Sequence, residues 1–251
     1  MLQFRSEFCG IIPAAGSGER LGLPYPKELH SVEPSKLYID YCLEQMANAG
    51  LQDVYIVVSP DKLSPMAQAL GPRRRGLQLT YVERASYVSK SLIGSVLLGA
   101  RRANYQLEYE KFLIMLPDTK MSCPDVAKTL ISMQAPTFAL FDTPDPSQFD
   151  SVYGAASSVS RIAVKIPVVD IHGSYKGTWG AFTLDMQAVV RLRKRLKATE
   201  ASPTGDHHLT GNLIDADIRL GSQYYYVQLP GTYDDLGEWD RVHKYIGGLN
   251  A

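Results

Sequence analysis

At 251 residues the chain has material for one sizeable α/β domain, or for a core with a smaller appended lobe. Its 26 basic and 26 acidic residues cancel, leaving no global field to attract nucleic acid, so no nucleic-acid partner is expected. Composition is ordinary for a globular protein, 45% apolar and 21% charged, with no apolar stretch of membrane-spanning length and no signal-peptide core at the N-terminus. The three cysteines, Cys9, Cys42 and Cys123, are odd in number and widely scattered, fitting neither a disulfide framework nor a zinc site. A soluble cytoplasmic protein without a membrane partner is the expectation.

The first predicted element is an apolar run, Phe8 with Ile11 and Ile12, read as a buried strand that stops at Pro13. It opens into a turn of small residues, Ala14-Ala15-Gly16-Ser17-Gly18. Lys36 to Ala49 carries Ile39, Leu43, Met46 and Ala47 at helical spacing, with Gly50 placed as its stop. Asp53 to Ser59 is β-branched and apolar, as a strand buried on both faces should be. A strand over Leu77 to Glu83, a helix over Ser91 to Ala103 and a strand over Phe112 to Leu116 follow. A helix from Ser122 or Pro124 and a strand over Thr137 to Phe141 complete the pattern. Such alternation predicts an α/β fold, a Rossmann-like, mostly parallel sheet with helices on both faces.

The pattern changes near residue 142. Asp142 to Ser151 reads as loop, and Val152 to Ile171 as short antiparallel strands. A helix over Thr183 to Leu196, a polar loop over Lys197 to His208, a strand over Tyr224 to Leu229 and a closing helix over Leu236 to Tyr245 are predicted. Without a convincing linker or repeat, one continuous fold over residues 1–251 is expected: a core over about 1–141, an inserted part over about 142–235 and a closing helix over 236–251.

Chemistry concentrates at the first turn. Gly16 and Gly18 have no side chains to block approach to the backbone N–H donors, and they allow positive φ at low cost. Consecutive amides in such a turn form an anion-binding concavity, and Arg20 and Lys27 bring two cations to it. A polyphosphate suits that arrangement, although a plain strand–turn junction remains equally open on spacing alone. The spacing is neither that of a Walker loop nor that of a dinucleotide fingerprint. Asp118 ends the run F-L-I-M-L-P-D at the carboxyl edge of a predicted central strand, where ligands bind in open α/β sheets; a helix cap or turn residue is the alternative.

The segment P-A-A-G-S-G-E-R…P-K-E resembles the signature loop of the sugar-1-phosphate nucleotidylyltransferases, which join a nucleoside triphosphate to a sugar phosphate. The resemblance implies that Ala14, Ala15, Gly16, Ser17 and Gly18 wrap the nucleotide, that Arg20 binds its phosphates, and that Lys27 stabilises charge on the phosphoryl groups. L-P-D looks like the family motif whose aspartate holds a catalytic magnesium, which implicates Asp118. G-T-Y-D-D-L-G is similar to the segment carrying the second metal aspartate, placing Asp235 there with Asp234 as the adjacent candidate. Two carboxylates meeting over a triphosphate suit Mg²⁺, which prefers oxygen ligands. Glu83 falls where the family reads its base, and a glutamate there suits cytosine or guanine. A helix N-terminus with a polar first turn is the other reading of that stretch. For the acceptor, the likeness implicates Tyr153 and Gly154, then Lys165, which is displaced by one position from the family's lysine, and Lys176 near Trp179. The implied partners are a nucleoside triphosphate and a sugar phosphate or other small phosphate, the implied cofactor is Mg²⁺, and the part over about 142–235 becomes a small antiparallel acceptor-binding lobe; a homo-oligomer is left open.

Three other features read as structural. Arg73-Arg74-Arg75 is taken as a solvated loop, and R-L-R-K-R-L over 191–196 as a helix end suited to its dipole. His207-His208 is taken as ordinary loop histidines. Rival functions are cytidylyl transfer onto a non-sugar phosphate or phosphonate, and a catalytically silent nucleotide-binding regulator.

Overall fold

A computed structural model describes residues 6–86, 88–143, 148–164, 175–200, 209–237 and 239–243. Strand β1 (Phe8–Pro13) is buried throughout and leads through short helical turns to the hairpin β2 (Ser31–Glu33) and β3 (Lys36–Leu37). Helix α1 (Tyr38–Asn48) starts two residues later than its periodicity suggests, because Lys36 and Leu37 pair with β2. Gly50 follows it at φ +80°, the left-handed stop expected there. Next come β4 (Asp53–Val58), α2 (Pro60–Leu70), β5 (Arg73–Arg74), β6 (Leu77–Glu83) and α3 (Leu92–Leu107). Ser91 caps α3 by accepting the Gly94 N–H at 3.1 Å. The sequence reading names no helix between β4 and β6; α2 fills that crossover with Pro60 at its first position.

Strand β7 (Lys111–Met115) is followed by the short β8 (Thr119–Met121), α4 (Val126–Ile131) and β9 (Thr137–Phe141). The lobe contributes the hairpin β10 (Asp150–Ala155) and β11 (Ser158–Val164), then the long β12 (Tyr175–Asp185). Helices α5 (Met186–Glu200) and α6 (Leu209–Arg219) precede β13 (Tyr225–Gln228) and β14 (Tyr233–Asp235); residues 239–243 are again helical.

One ten-stranded sheet runs β10-β11-β13-β9-β12-β7-β1-β4-β6-β5. Its centre, β7-β1-β4-β6, is parallel throughout, so the carboxyl ends of these four strands form one edge. Strand β12 runs antiparallel between β7 and β9, and its first residues also pair with β10. Side chains alternate across β1: Cys9 and Ile11 pack towards α3, α5 and α6, while Phe8 and Ile12 pack towards α1, α2 and α4. Gly99 lets α3 sit close on the sheet, since a Cβ there would lie 2.9 Å from Ile11 Cγ2 and 3.0 Å from Val57 Cγ2.

Several sequence readings are corrected. Thr183–Asp185 belong to β12, because Leu184 and Asp185 still pair with Phe112 and Lys111, and the following helix starts at Met186. Residues 197–200 extend α5 instead of forming a loop, and the helix predicted from Ser122 or Pro124 starts at Val126. Arg73-Arg74-Arg75 is no free loop. Arg74 grips the buried Asp40 through Nε and Nη2, both at 2.6 Å, and Arg75 Nη2 reaches Glu44 at 3.2 Å. In 191–196, Arg191 and Arg195 bind the buried Asp217 at 3.0 and 2.8 Å instead of merely complementing a helix end. Lys165, His207 and His208 lie outside the described residues, as do 165–171 of the predicted lobe strands.

Candidate active site

The glycine turn leaves β1 at the parallel edge. Ala14 and Ala15 are buried, the Ala14 N–H donates to Val57 O at 2.8 Å, and Gly16 and Ser17 are exposed. Gly18 has φ +71°, and a Cβ there would touch the Lys27 stem at 3.6 Å; a Cβ on Gly16 would meet nothing within 4 Å. Positive φ is therefore used at Gly18, and Gly16 keeps the rim of the turn open.

Lys27 opens a short helical turn whose neighbour Glu28 is fully buried. Glu28 takes Lys62 Nζ of α2 on both oxygens at 3.0 Å, and the same Nζ donates to Ala14 O at 3.2 Å. This buried pair clamps the lysine turn, α2 and the start of the glycine turn together. Burial still raises the Glu28 carboxyl, because desolvation outweighs the attraction of Lys62. Neither Glu28 nor Lys62 was singled out from sequence. Glu28 stands inside the P-K-E motif, whereas Lys62 carries no local signal, because its partner is known only once α2 is placed.

Asp118 follows β7 and receives the Lys27 ammonium on Oδ2. Burial alone would lower the Lys27 ammonium, yet the Asp118 carboxylate, helped by Glu28 and Asp235, raises it. Strand β14 then comes back antiparallel to β8, with Asp235 opposite Thr119 and Asp234 opposite Lys120. The Leu236 N–H donates to Asp118 O at 2.8 Å, which pins the returning segment beside the first aspartate. Neighbouring strand residues point to opposite faces, so only one of the two adjacent aspartates can face Asp118. It is Asp235: a Cβ built on Gly237 would lie 2.9 Å from Asp235 Oδ1, 3.3 Å from Arg20 Nη2 and 3.4 Å from Asp118 Oδ2. Asp234 instead accepts from Thr232 Oγ1 at 3.4 Å.

Asp235 Oδ1 accepts the Gly237 N–H at 2.8 Å, and Oδ2 accepts from Arg241 Nη1. Burial raises its carboxyl and the Asp118 charge raises it further, against the pull of Gly237 N–H, Arg241 and Arg20. Two close carboxylates, each contested by the charge beside it, form an oxygen-donor set of the kind a divalent cation takes. The described residues contain no group of three or more His, Cys, Asp or Glu side chains arranged for a metal. Any ion here would draw its remaining ligands from phosphate and water, as Mg²⁺ does. The donor set fits.

Glu83 is exposed at the carboxyl end of β6, on the same edge of the sheet. The ring of Tyr153 meets Tyr175 at 6.1 Å and the Arg161 guanidinium at 5.7 Å, contacts within the lobe. Gly154 is needed by the hairpin itself, since a Cβ would come within 2.2 Å of Ser158 O and 2.9 Å of Tyr226 Cε1. Lys176 is half-buried on β12. Arg241, which completes Asp235, was missed because it lies past the quoted motif.

A mixed α/β sheet with a parallel centre gathers at its carboxyl edge a glycine turn, two cations and two carboxylates, an arrangement that suits a nucleotidyltransferase. Residues 10–156 match the family described as the MobA-like NTP transferase domain. The chain belongs to that family, and its fold is that of the sugar-1-phosphate nucleotidylyltransferases. A structure described as a glucose-1-phosphate thymidylyltransferase from Bacillus anthracis, in complex with sucrose, superposes with a TM-score of 0.77 at 18% identity, covering 96% of this chain and 94% of that one. A UDP-glucose pyrophosphorylase in complex with UDP-glucose superposes at 0.76 and 17% identity, over 96% and 98% of the two chains. The apo form of a UDP-glucose pyrophosphorylase gives 0.75 at 17% identity, over 96% and 97%. None of the helices in the described residues is long and apolar enough to cross a membrane.

Proposed function

We propose that the protein transfers a nucleotidyl group from a nucleoside triphosphate to a sugar 1-phosphate, giving an NDP-sugar and pyrophosphate. The observation that carries this is the convergence of Arg20, Asp118 and Asp235 around Gly237, with Lys27 on Asp118 and the glycine turn alongside. A module that only binds nucleotide has no need of two close carboxylates beside two cations.

An oxygen of the acceptor phosphate attacks the α-phosphorus in line, forming the new P–O bond while the bond to the β-phosphate breaks and pyrophosphate leaves. That oxygen is already ionised at neutral pH, so no general base is required. The glycine turn, Ala14 to Gly18, offers backbone donors to the triphosphate. Arg20 and Lys27 supply fixed positive charge where negative charge accumulates on the phosphoryl oxygens, and preorganised charge of this kind is worth most in a site closed to water. Asp118 and Asp235 would hold Mg²⁺, which supplies Lewis-acid charge neutralisation to the phosphates when bound. Glu83, at the same sheet edge, is the candidate for reading the base. Tyr153, Gly154, Lys165 and Lys176 are candidates for the acceptor.

Pyrophosphate release with Mg²⁺ tests the reading, using each common nucleoside triphosphate against a panel of sugar and polyol phosphates. Turnover with one pair, lost in Lys27→Ala, is the expected result. Nucleotide binding with no turnover across the panel would overturn transfer to these acceptors.

A further inference from the structure

The cationic run on α5 is only partly absorbed by the fold. Of R-L-R-K-R-L, Arg191 and Arg195 turn to the buried Asp217. Arg193, Lys194 and the following Lys197 line up instead with Val190, at positions i, i+3, i+4 and i+7 of one helix face. Gly94, Leu97, Leu98 and Arg101 repeat that spacing on α3. The two stripes meet along a groove made of two adjoining clefts of about 280 Å³ each, which share Arg101, Arg193 and Lys197.

The floor of this groove is apolar. Leu97, Val189 and Leu196 are buried along it, Leu98 and Met186 are half-buried, and Val190 is 58% exposed. Ser89 closes one end against the first turn of α3, where a Cβ on Gly94 would lie 2.5 Å from Ser89 O. Among the described residues no carboxylate lines either cleft. The charge that acts on Arg101 is another cation: burial, and then Arg193, push its guanidinium below the ordinary arginine value.

Two guanidinium forks over an apolar floor suit one kind of occupant. The forks offer paired N–H donors to an oxyanion, and the floor covers carbon that would otherwise face water. The size is that of a small-molecule site, roughly 300–1,000 Å³. A second copy of the chain fits badly, because a two-fold axis sets the same patch on both partners, cations against cations. We propose that this groove binds a small amphiphilic anion, a phosphate or carboxylate on an apolar body. Arg101 and Arg193 take the anionic group, and Leu97, Leu98, Val189 and Val190 take the apolar part. The groove shares no residue with the candidate active site, so the proposal stands apart from the transferase reading.

The test titrates octyl phosphate, inorganic phosphate and octyltrimethylammonium calorimetrically into wild type, Val190→Gln and the double variant Arg101→Gln/Arg193→Gln. Wild type should bind octyl phosphate more tightly than either of the other two probes. The double variant should bind it on the order of tenfold or more weakly. Val190→Gln should weaken octyl phosphate and leave inorganic phosphate unchanged. The double variant removes a like-charge contact, so its Tm without ligand should be no lower than that of wild type. Equal octyl phosphate affinity in wild type and the double variant overturns the proposal, since the anion then sits elsewhere. Octyltrimethylammonium bound as tightly as octyl phosphate also overturns it, leaving only an apolar surface. A lower Tm in the double variant would make the arginines props of the fold and count against a ligand site. Binding of poly-glutamate, or of phosphatidylglycerol vesicles, in place of octyl phosphate would overturn it in favour of an acidic protein segment or a membrane.

Discussion

Lys27 and Asp118 show how charge is arranged atom by atom. The ammonium is held above its ordinary value by a carboxylate it contacts directly, so it stays protonated across the neutral range. Lys27→Ala removes this fixed charge, and turnover should fall by at least a hundredfold, on the order of 3 kcal/mol in barrier, measured as pyrophosphate release. Asp235 behaves oppositely. Its carboxyl is raised from the ordinary 3.8 by burial and by Asp118, so the folded state binds protons more readily than the unfolded one. Ionisation of Asp235 therefore subtracts from stability as pH rises through the interval above 3.8, up to its raised value. Asp235→Asn should match wild type below that interval and be at least as stable at neutral pH, while Mn²⁺ binding is lost. Urea midpoints at several pH values check it; a variant that grows less stable than wild type as pH rises would reverse the sign. The aspartate pair was legible as D-D in the sequence, but which of the two faces Asp118 was not. That choice follows from the register of β14 on β8.

At the scale of elements, strands were the easier reading. Strands β6 and β9 run over the residues predicted for them; β9 is buried along its whole length, as an apolar run should be, whereas β6 buries only Leu77, Leu79 and Val82. Helix α2 was missed: its segment P-D-K-L-S-P-M-A-Q-A-L is mixed in polarity, and its Lys62 looks like a surface residue until Glu28 is found beside it. Removing one partner leaves the other charge buried, so Lys62→Met should destabilise by about 3–5 kcal/mol, measured by urea unfolding. A similar error hid Asp217. It looks like a helix-surface acid, yet it is fully buried and takes Arg191, Arg195 and the Tyr224 hydroxyl at 2.8–3.0 Å. It joins α5 and α6 to Tyr224, just before β13, so Asp217→Ala should cost a similar amount, about 3–5 kcal/mol, with no direct effect on nucleotide affinity in the folded fraction.

For the whole molecule, the site is assembled from segments over two hundred residues apart. The Trp239 indole N–H donates to Leu21 O at 2.8 Å, and Leu21, Tyr38, Tyr41, Leu236 and Val242 form a small apolar cluster that joins the same distant segments. A ligand bound across these segments should stabilise the whole fold cooperatively. Nucleoside triphosphate with Mg²⁺ at a hundredfold over its Kd should add about 2.7 kcal/mol, read as a rise in Tm. Without metal, or in Asp235→Asn, that rise should shrink. A shift indifferent to metal would separate nucleotide binding from the carboxylate pair. The sequence by itself determined the alternating α/β plan and the glycine turn, because burial period and turn chemistry are written locally; Asp118 and Asp235 came forward as metal candidates through a family resemblance. Tertiary structure alone decided that β12 runs antiparallel beside β7, that Glu28 meets Lys62, and that Arg241 closes on Asp235. Those contacts join residues distant along the chain, and no local pattern of hydrophobicity or spacing encodes which buried charge finds which partner.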